Sequence, residues 1–467
     1  MLAKRYSLLA SYNLILLDTS SLESDLDKND DGIKRLLAYS NEERFTMVRT
    51  PETTNNELLK HIPSYEELTN TKSIKAIKVR RSDSEHSVYF GYRSKDIMDI
   101  GEAVFNEKPL SDVHWKQIYP VFVQAVLFGS KVTDLFVTTN PTLLAKRSWL
   151  ENHFPGLQLN ITSPKEALCY LDLYCKNKGT YHLGPRHTSN RGLWYLYQFK
   201  TKIPNYQSGW SYCVFSKNEQ YSSLLQGIAN RFQDLYRAID EIGFQYYQEP
   251  NNDTLDAMVY HLNYLVSLCT GLLDSLALLT YLRFNMQLRG VNIPKRERLT
   301  KIGVRNKEFL DELEKKNMVL RNLITANDNL LNFIFEIRHL ILHREGIGRT
   351  AFSYKSDETS WDMNAVKVDN SLIELIKDYD SKQEFEPLTK WGLYATNQQH
   401  FIEPFHLARA LESKFSQFCN EYLGLLSIQD VLKTDEVEKK IIESAQTQTS
   451  LKHIRDLELF KQHALGV

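Results

Sequence analysis

The chain has 467 residues, of which 42% are hydrophobic and 25% charged, with a formal net charge of −1. That length exceeds one ordinary hydrophobic core and predicts two or three packed units, while the composition excludes a disordered or low-complexity chain. Near-zero net charge excludes nucleic-acid binding through bulk charge, so any such contact must be a local patch.

The five cysteines, Cys169, Cys175, Cys213, Cys269 and Cys419, are odd in number and show no C-x-x-C spacing, which argues against a zinc site or a disulfide framework. The opening Met1-Leu2-Ala3-Lys4-Arg5-Tyr6 does not read as a signal peptide, and no run of about 18 apolar residues suggests a membrane span. A cytoplasmic location without membrane contact is expected.

Residues 1–180 read as an α/β domain. Residues 12–17 are a compact apolar run suited to a buried strand. Residues 73–81 and 87–92 carry β-branched and aromatic side chains and predict a hairpin. Residues 115–128 predict an apolar helix, with Asp112 as its N-cap. Residues 133–138 and 157–161 predict two more buried strands, the first ended by Asn140-Pro141. A helix is expected over 164–174, with Pro164 in its first turn. Strands alternating with helices predict a parallel sheet. Residues 181–218, punctuated by Gly184-Pro185, Arg191-Gly192, Pro204 and Ser208-Gly209, predict a connector with strand content around 193–199.

A helical bundle is expected over 219–427. Apolar stripes of helical period cover 221–247 and 255–288, the second through Leu262, Leu265, Val266, Leu272, Leu276, Leu279 and Leu282, and further helices are expected over 306–323, 328–343 and 405–426. Residues 350–399 are polar and predict an irregular insertion. The tail, 428–467, is charged and amphipathic, fitting either a partner-binding helix or a loose end. No fixed-period repeat is visible.

The most informative string is Phe335-Glu336-Ile337-Arg338-His339-Leu340-Ile341-Leu342-His343-Arg344-Glu345-Gly346. It puts Arg338 and His343 near the end of an apolar helix, where polar side chains are costly to hold against a core. Arg338 is a permanent cation whose planar fork suits a phosphate. His343 exchanges a proton near neutral pH. One group activates a ribose hydroxyl or protonates the leaving oxygen, and the other holds the phosphorane charge. A histidine at a helix C-terminus also interacts favourably with the helix dipole without any chemistry. Residues five apart sit about 140° apart around a helix, so one copy does not aim both groups at one point. A two-fold dimer that faces the motif on itself does.

Arg, a polar residue, three residues and His, late in a helical bundle, resembles the HEPN superfamily, over roughly residues 219–427. The resemblance implies a dimeric, metal-independent endoribonuclease, with Arg338 and His343 as the catalytic pair and His339 as a supporting polar residue. Glu336, and Asp274 on the long bundle helix, are further supporting candidates. Some members of the superfamily only bind nucleotides or partners, and that noncatalytic module is the competing expectation.

Leu17-Asp18-Thr19-Ser20-Ser21-Leu22 places an acid at the end of the first strand, where open α/β sheets bind ligands. The string resembles the opening of a PIN domain, a metal-dependent nuclease fold, over residues 10–175. By that resemblance Asp18 and Glu57 are metal ligands for Mg²⁺ or Mn²⁺. Hard cations want three or four carboxylates, yet Tyr119-Pro120-Val121-Phe122-Val123-Gln124 lacks the third acid and Asn140 stands at the fourth position. A PIN-like shell that binds or senses RNA is therefore expected ahead of an active metal nuclease. Lys295, Arg296, Arg298 and Lys301 form a basic cluster expected to contact RNA phosphates.

Together these observations predict an α+β chain: a PIN-like parallel α/β domain (1–180), a connector (181–218), a HEPN-like bundle (219–427) and a helical tail (428–467). The expected activity is RNA cleavage at a homodimer interface, with no cofactor at the Arg–His site. The resemblance further implies a prokaryotic toxin or antiviral effector, with an antitoxin or regulatory partner.

Overall fold

The computed structural model describes residues 14–26, 31–41, 45–69, 74–80, 85–91, 95–129, 135–153, 161–184, 187–248, 251–288, 304–343, 354–356, 359–361, 365–368, 373–374, 391–396 and 399–461. Helices dominate, with a small parallel sheet near the N-terminus, an α+β layout.

The chain opens with β1 (Leu14–Leu17), α1 (Thr19–Leu26), α2 (Asp31–Ala38), β2 (Thr46–Arg49) and the single turn α3 (Glu57–Lys60). Three antiparallel strands follow: β3 (Glu66–Thr69), β4 (Ile74–Arg80) and β5 (Glu85–Gly91). The β4–β5 pairing is the hairpin expected from 73–92. Next come α4 (Lys95–Phe105), α5 (Asp112–Gly129), β6 (Leu135–Val137), α6 (Pro141–His153), β7 (Ile161–Thr162) and α7 (Pro164–Asn177). Asp112 lies in the first turn of α5 rather than at its cap: the adjacent Ser111 hydroxyl accepts from the His114 amide at 3.3 Å.

The parallel sheet has the order β2-β1-β6-β7. Side chains alternate between its faces, and both faces are apolar, as a covered parallel sheet requires. Leu14, Leu16, Val48 and Phe136 pack against Trp115, Ile118, Leu143 and Leu150 of α5 and α6. Ile15, Leu17, Met47, Leu135 and Val137 face α2 and α7, and their core continues without a break into the bundle. α7 starts at a capping box, Ser163 with Glu166, followed by Pro164.

A short hairpin, β8 (Tyr181–Gly184) and β9 (His187–Ser189), leads to α8 (Arg191–Lys202) and α9 (Asn205–Phe215). The strand content expected around 193–199 is thus helix. The alternation Tyr195, Tyr197, Phe199 imitates a strand because α8 is buried on several sides. The Tyr195 hydroxyl donates to Asp240 Oδ2 at 2.9 Å on one side, while Trp194 meets Phe460 edge-on at 5.4 Å on another. Asn190 caps the helix by accepting from the Leu193 amide.

The bundle contains α10 (Glu219–Tyr246), α11 (Asn252–Phe284), α12 (Lys307–Lys316), α13 (Met318–Ala326) and α14 (Asp328–His343). Residues 306–323, expected as one helix, break at Asn317, which ends α12 and caps α13 by accepting from the Leu320 amide. α11 is long and apolar enough by length and composition to cross a membrane, contrary to the sequence expectation. However, 72% of its most apolar window is buried inside the protein, where it serves as the central core helix.

Residues 350–399, expected to be irregular, carry β-structure: a hairpin of β10 (Tyr354–Ser356) and β11 (Thr359–Trp361), then β12 (Val366–Val368), β13 (Leu393–Thr396) and β14 (Gln399–Ile402) in the order β12-β14-β13. α15 (Pro404–Leu426) completes the bundle. The tail forms α16 (Gln429–Leu432), α17 (Asp435–Ala445) and α18 (Gln448–Phe460), and Phe460 is fully buried against Trp194 and Tyr197.

An ion cluster ties the sheet layer to the bundle. Lys176 of α7 reaches Asp172 at 2.6 Å and Asp240 of α10 at 2.9 Å, with its ammonium 3.5 Å from the centre of the Trp194 ring.

Candidate functional site

α14 exists because Leu330, Leu331, Ile334 and Ile337 line one face and bury against the bundle, with α11 as a neighbour. The residue after Ile337 turns away from that face. Arg338 and His339 are therefore exposed, and Glu336 is half-buried. The helix runs unbroken to His343, its last residue. The His343 side chain lies outside the described part of the structure, as do residues Lys295, Arg296, Arg298 and Lys301.

α11 is buried over most of its circumference but leaves one stripe at the surface, including Tyr260, Tyr264, Ser267 and Asp274. Asp274, a supporting candidate from sequence, is within electrostatic influence of the motif's arginine. Burial pushes its carboxyl above the ordinary aspartate range, and the Arg338 guanidinium of α14 pulls it part of the way back. A second guanidinium, Arg231 of α10, pulls in the same direction. One carboxylate on the central helix thus feels two guanidinium charges, one from each neighbouring helix.

Arg231 was not singled out from sequence. A lone arginine on an amphipathic helix looks like part of a solvated face, and nothing local distinguishes it. Its position becomes visible only through contacts. Arg231 Nη1 donates to Ser275 Oγ at 3.0 Å, and Ser275 Oγ donates to the Gly271 carbonyl at 2.8 Å. A Cβ built on Gly227 would lie 3.4 Å from Arg231 Nη1, and one on Gly271 3.5 Å from its Nε. The guanidinium therefore rests across a patch of small residues on the α10–α11 pair.

The second candidate site lies at the carboxyl ends of β1 and β6, where the sheet order reverses direction. Asp18 is buried, with 4% exposure. Thr138 Oγ1 donates to Asp18 Oδ2 at 2.6 Å, and Ser20 Oγ donates to Oδ1 at 3.1 Å. Ser21 Oγ lies 3.0 Å from the Thr138 hydroxyl and accepts from the Thr139 amide. Asn140 caps α6 by accepting from the Thr142 amide and donates to Gln117 Oε1 at 3.2 Å. Each polar group here is held by a neighbour within the fold.

Beside this network is an open polar cavity of about 680 Å³ lined by Ser20, Glu23, Ser24, Asn55, Asn56 and Glu57. Glu57 is ion-paired with Lys60 at 2.7 Å. Glu23, another residue the sequence did not single out, accepts from the Thr54 hydroxyl at 2.8 Å and from the Asn55 and Asn56 amides at 2.7 and 3.1 Å. Those bonds, the Thr54 hydroxyl foremost, draw the Glu23 carboxyl below the ordinary glutamate range.

Among the described residues no group of three or more His, Cys, Asp or Glu is placed to hold a metal ion, so Asp18 and Glu57 belong to no such set. With both Asp18 oxygens accepting hydroxyl protons and Glu57 bound to Lys60, these donors do not fit Mg²⁺ or Mn²⁺, which take several carboxylate oxygens. No family model matches this chain, and neither a curated protein nor a solved structure matches it.

Proposed function

We propose that this chain is a metal-independent endoribonuclease of the HEPN type, acting as a homodimer on RNA. The observation that carries the proposal is the exposure of Arg338 on the outer side of a well-seated helix, within electrostatic reach of a partly desolvated carboxylate. An exposed guanidinium is available to a phosphodiester. Its permanent positive charge opposes the negative charge that develops on the phosphorane.

The proposed reaction is an in-line transesterification. The ribose 2′-oxygen attacks the adjacent phosphorus, the P–O5′ bond breaks, and a 2′,3′-cyclic phosphate remains. One proton leaves the 2′-hydroxyl and one arrives on the 5′-oxygen. His343 carries out one of these transfers, and Arg338 stabilises the charge on the non-bridging oxygens. Arg338 and His343 diverge by about 140° around α14, so a two-fold pairing that faces two copies of α14 joins the arginine of one copy to the histidine of the other. The N-terminal layer, with its polar cavity, is the part that binds or senses RNA. Prokaryotic toxin or antiviral activity is the setting that the family resemblance suggests.

The test is incubation of the purified protein with mixed RNA in EDTA. Cleavage that persists in EDTA and disappears in His343→Ala supports the proposal. Cleavage that requires Mg²⁺ and depends on Asp18 would transfer the activity to the sheet edge. Absence of cleavage with or without Mg²⁺ would leave a noncatalytic binding module.

A further inference from the structure

The polar cavity beside the sheet edge has a lining that rejects one part of an RNA strand and suits another. Ser20, Glu23, Ser24, Asn55, Asn56 and Glu57 surround about 680 Å³, an ordinary size for a ligand site. Among the described residues no Lys, Arg or His lines it. Lys60, the cation nearby, is paired with Glu57 at 2.7 Å. An anionic lining with no spare cation repels a phosphate. What it offers instead is hydrogen bonding, because the exposed Ser20, Ser24 and Asn55 side chains both donate and accept. A simple ammonium would use only the acceptors, whereas the edge of a nucleobase carries donors and acceptors together.

Glu23 is set in one orientation. Its Oε1 accepts from the Thr54 hydroxyl at 2.8 Å and from the Asn55 and Asn56 amides at 2.7 and 3.1 Å. Among the described residues Oε2 accepts no hydrogen bond, so it is the acceptor left for the cavity. The bonds to Oε1, the Thr54 hydroxyl foremost, hold the carboxyl below the ordinary glutamate range, which keeps Glu23 ionised at neutral pH.

We propose that this cavity receives one unstacked, amino-bearing base of single-stranded RNA, and that Glu23 Oε2 accepts from its exocyclic amino group. The inference rests on the reading of the N-terminal layer as the RNA-binding part, and deepens it by naming the base edge rather than the backbone as what is read. Cytosine presents an amino donor where uracil presents a carbonyl oxygen. Uracil would set that oxygen against the carboxylate.

The experiment measures binding separately from cleavage. Full-length protein carrying His343→Ala, which removes the proposed proton carrier, is titrated with fluorescein-labelled oligocytidylate and oligouridylate, two strands that differ chiefly in this edge. Oligocytidylate should bind about tenfold more tightly. Glu23→Gln is then added. The two amides and the Thr54 hydroxyl need an acceptor at the Oε1 position, so the glutamine carbonyl takes it and the NH₂ group stands where Oε2 was. Donor and acceptor are exchanged at that atom, and the preference should fall to parity or reverse towards oligouridylate. A glutamate that only holds residues 54–56 would change both affinities by the same factor.

Equal affinities before Glu23 is changed, or a cytidine preference that persists in Glu23→Gln, overturn the inference. In that case, equal weakening of both strands by Glu23→Gln leaves the layer as an RNA contact without base reading, and no change in either strand removes the cavity from RNA binding altogether. Arg338→Gln, which should weaken both strands alike, reports on the Arg338 site independently of these results. The preference is a ratio measured within one preparation, so a loss of stability in Glu23→Gln does not mimic its reversal, and a cooperative melt shows that the variant is folded.

Discussion

The two polar centres of this molecule treat their carboxylates in opposite ways. At the sheet edge, Asp18 takes hydroxyl donors from Thr138 and Ser20, and Glu23 takes one hydroxyl and two backbone amides. In the bundle, Asp274 is disfavoured by burial and only partly compensated by Arg338 and Arg231. The first pattern describes groups that hold a loop to a strand. The second describes a partly desolvated carboxylate under the influence of two guanidinium charges, and such perturbed groups cluster at binding and catalytic sites. Similar residue types therefore lead to different conclusions, because hydrogen bonds from the protein hold one set and leave the other set available.

The strongest way to break this comparison is to remove the proposed catalytic groups. His343→Ala should lower EDTA-resistant RNA cleavage by about 10²- to 10⁴-fold, and Arg338→Ala by about 10²- to 10³-fold. Asp18→Asn should leave that cleavage within about threefold of the parent. A comparable loss in Asp18→Asn would make the sheet edge the reactive centre.

Next in size is the ion cluster between the two layers. Lys176→Met leaves Asp172 and Asp240 without their shared cation and should destabilise the protein by about 3–5 kcal/mol. Chemical denaturation would show this as a lower midpoint. If the midpoint stays put, the contact between α7 and α10 is held by apolar packing alone.

Thr138→Val takes away the 2.6 Å donor to buried Asp18 and should cost about 1–3 kcal/mol. The same denaturation measurement applies, and RNA cleavage in EDTA should be unaffected by the change.

The smallest effects, and the sharpest contrast, come from pH. Glu23 has a lowered carboxyl pKa, so it adds stability above the ordinary glutamate range that is lost as pH falls through its depressed value. Glu23→Gln should thus lower the melting midpoint at neutral pH and converge on the parent in acid. Asp274 has a raised pKa. Its contribution is fully present below the ordinary aspartate range and is lost as pH rises through the elevated value. Asp274→Asn should therefore raise the midpoint at neutral pH and converge on the parent in acid. Shifts of the same sign in both variants would erase the distinction between the two centres.

Some of this was readable from local pattern. The run Leu14–Leu17 is apolar at every position because helices cover both faces of its sheet, and it reads as a buried strand for that reason. Ser163, Pro164 and Glu166 announce α7 through a cap whose atoms all lie within four residues. α14 was anticipated over the same span as observed, and with it the placement of Arg338 near the end of an apolar helix. Other features escaped because their cause is remote. Tyr195, Tyr197 and Phe199 alternate like a strand, yet they sit on a helix held between α10 and the tail. The four-residue β2 is too short for a periodic signal, and its register comes only from pairing with β1. The break at Asn317 is a cap inside an otherwise continuous helical pattern.

The sequence by itself determined where chains of short-range cause lead: the helix carrying Arg338, the buried strand Leu14–Leu17 with an acid at its end, the β4–β5 hairpin and the capped helix α7. Tertiary structure alone decided which charges influence one another. Arg231 and Asp274 are separated by 43 positions, and Asp274 and Arg338 by 64. Hydrogen bonds that close within a turn leave a trace in residue spacing. Electrostatic contacts between three packed helices depend on crossing geometry, which the core sets, and they leave none.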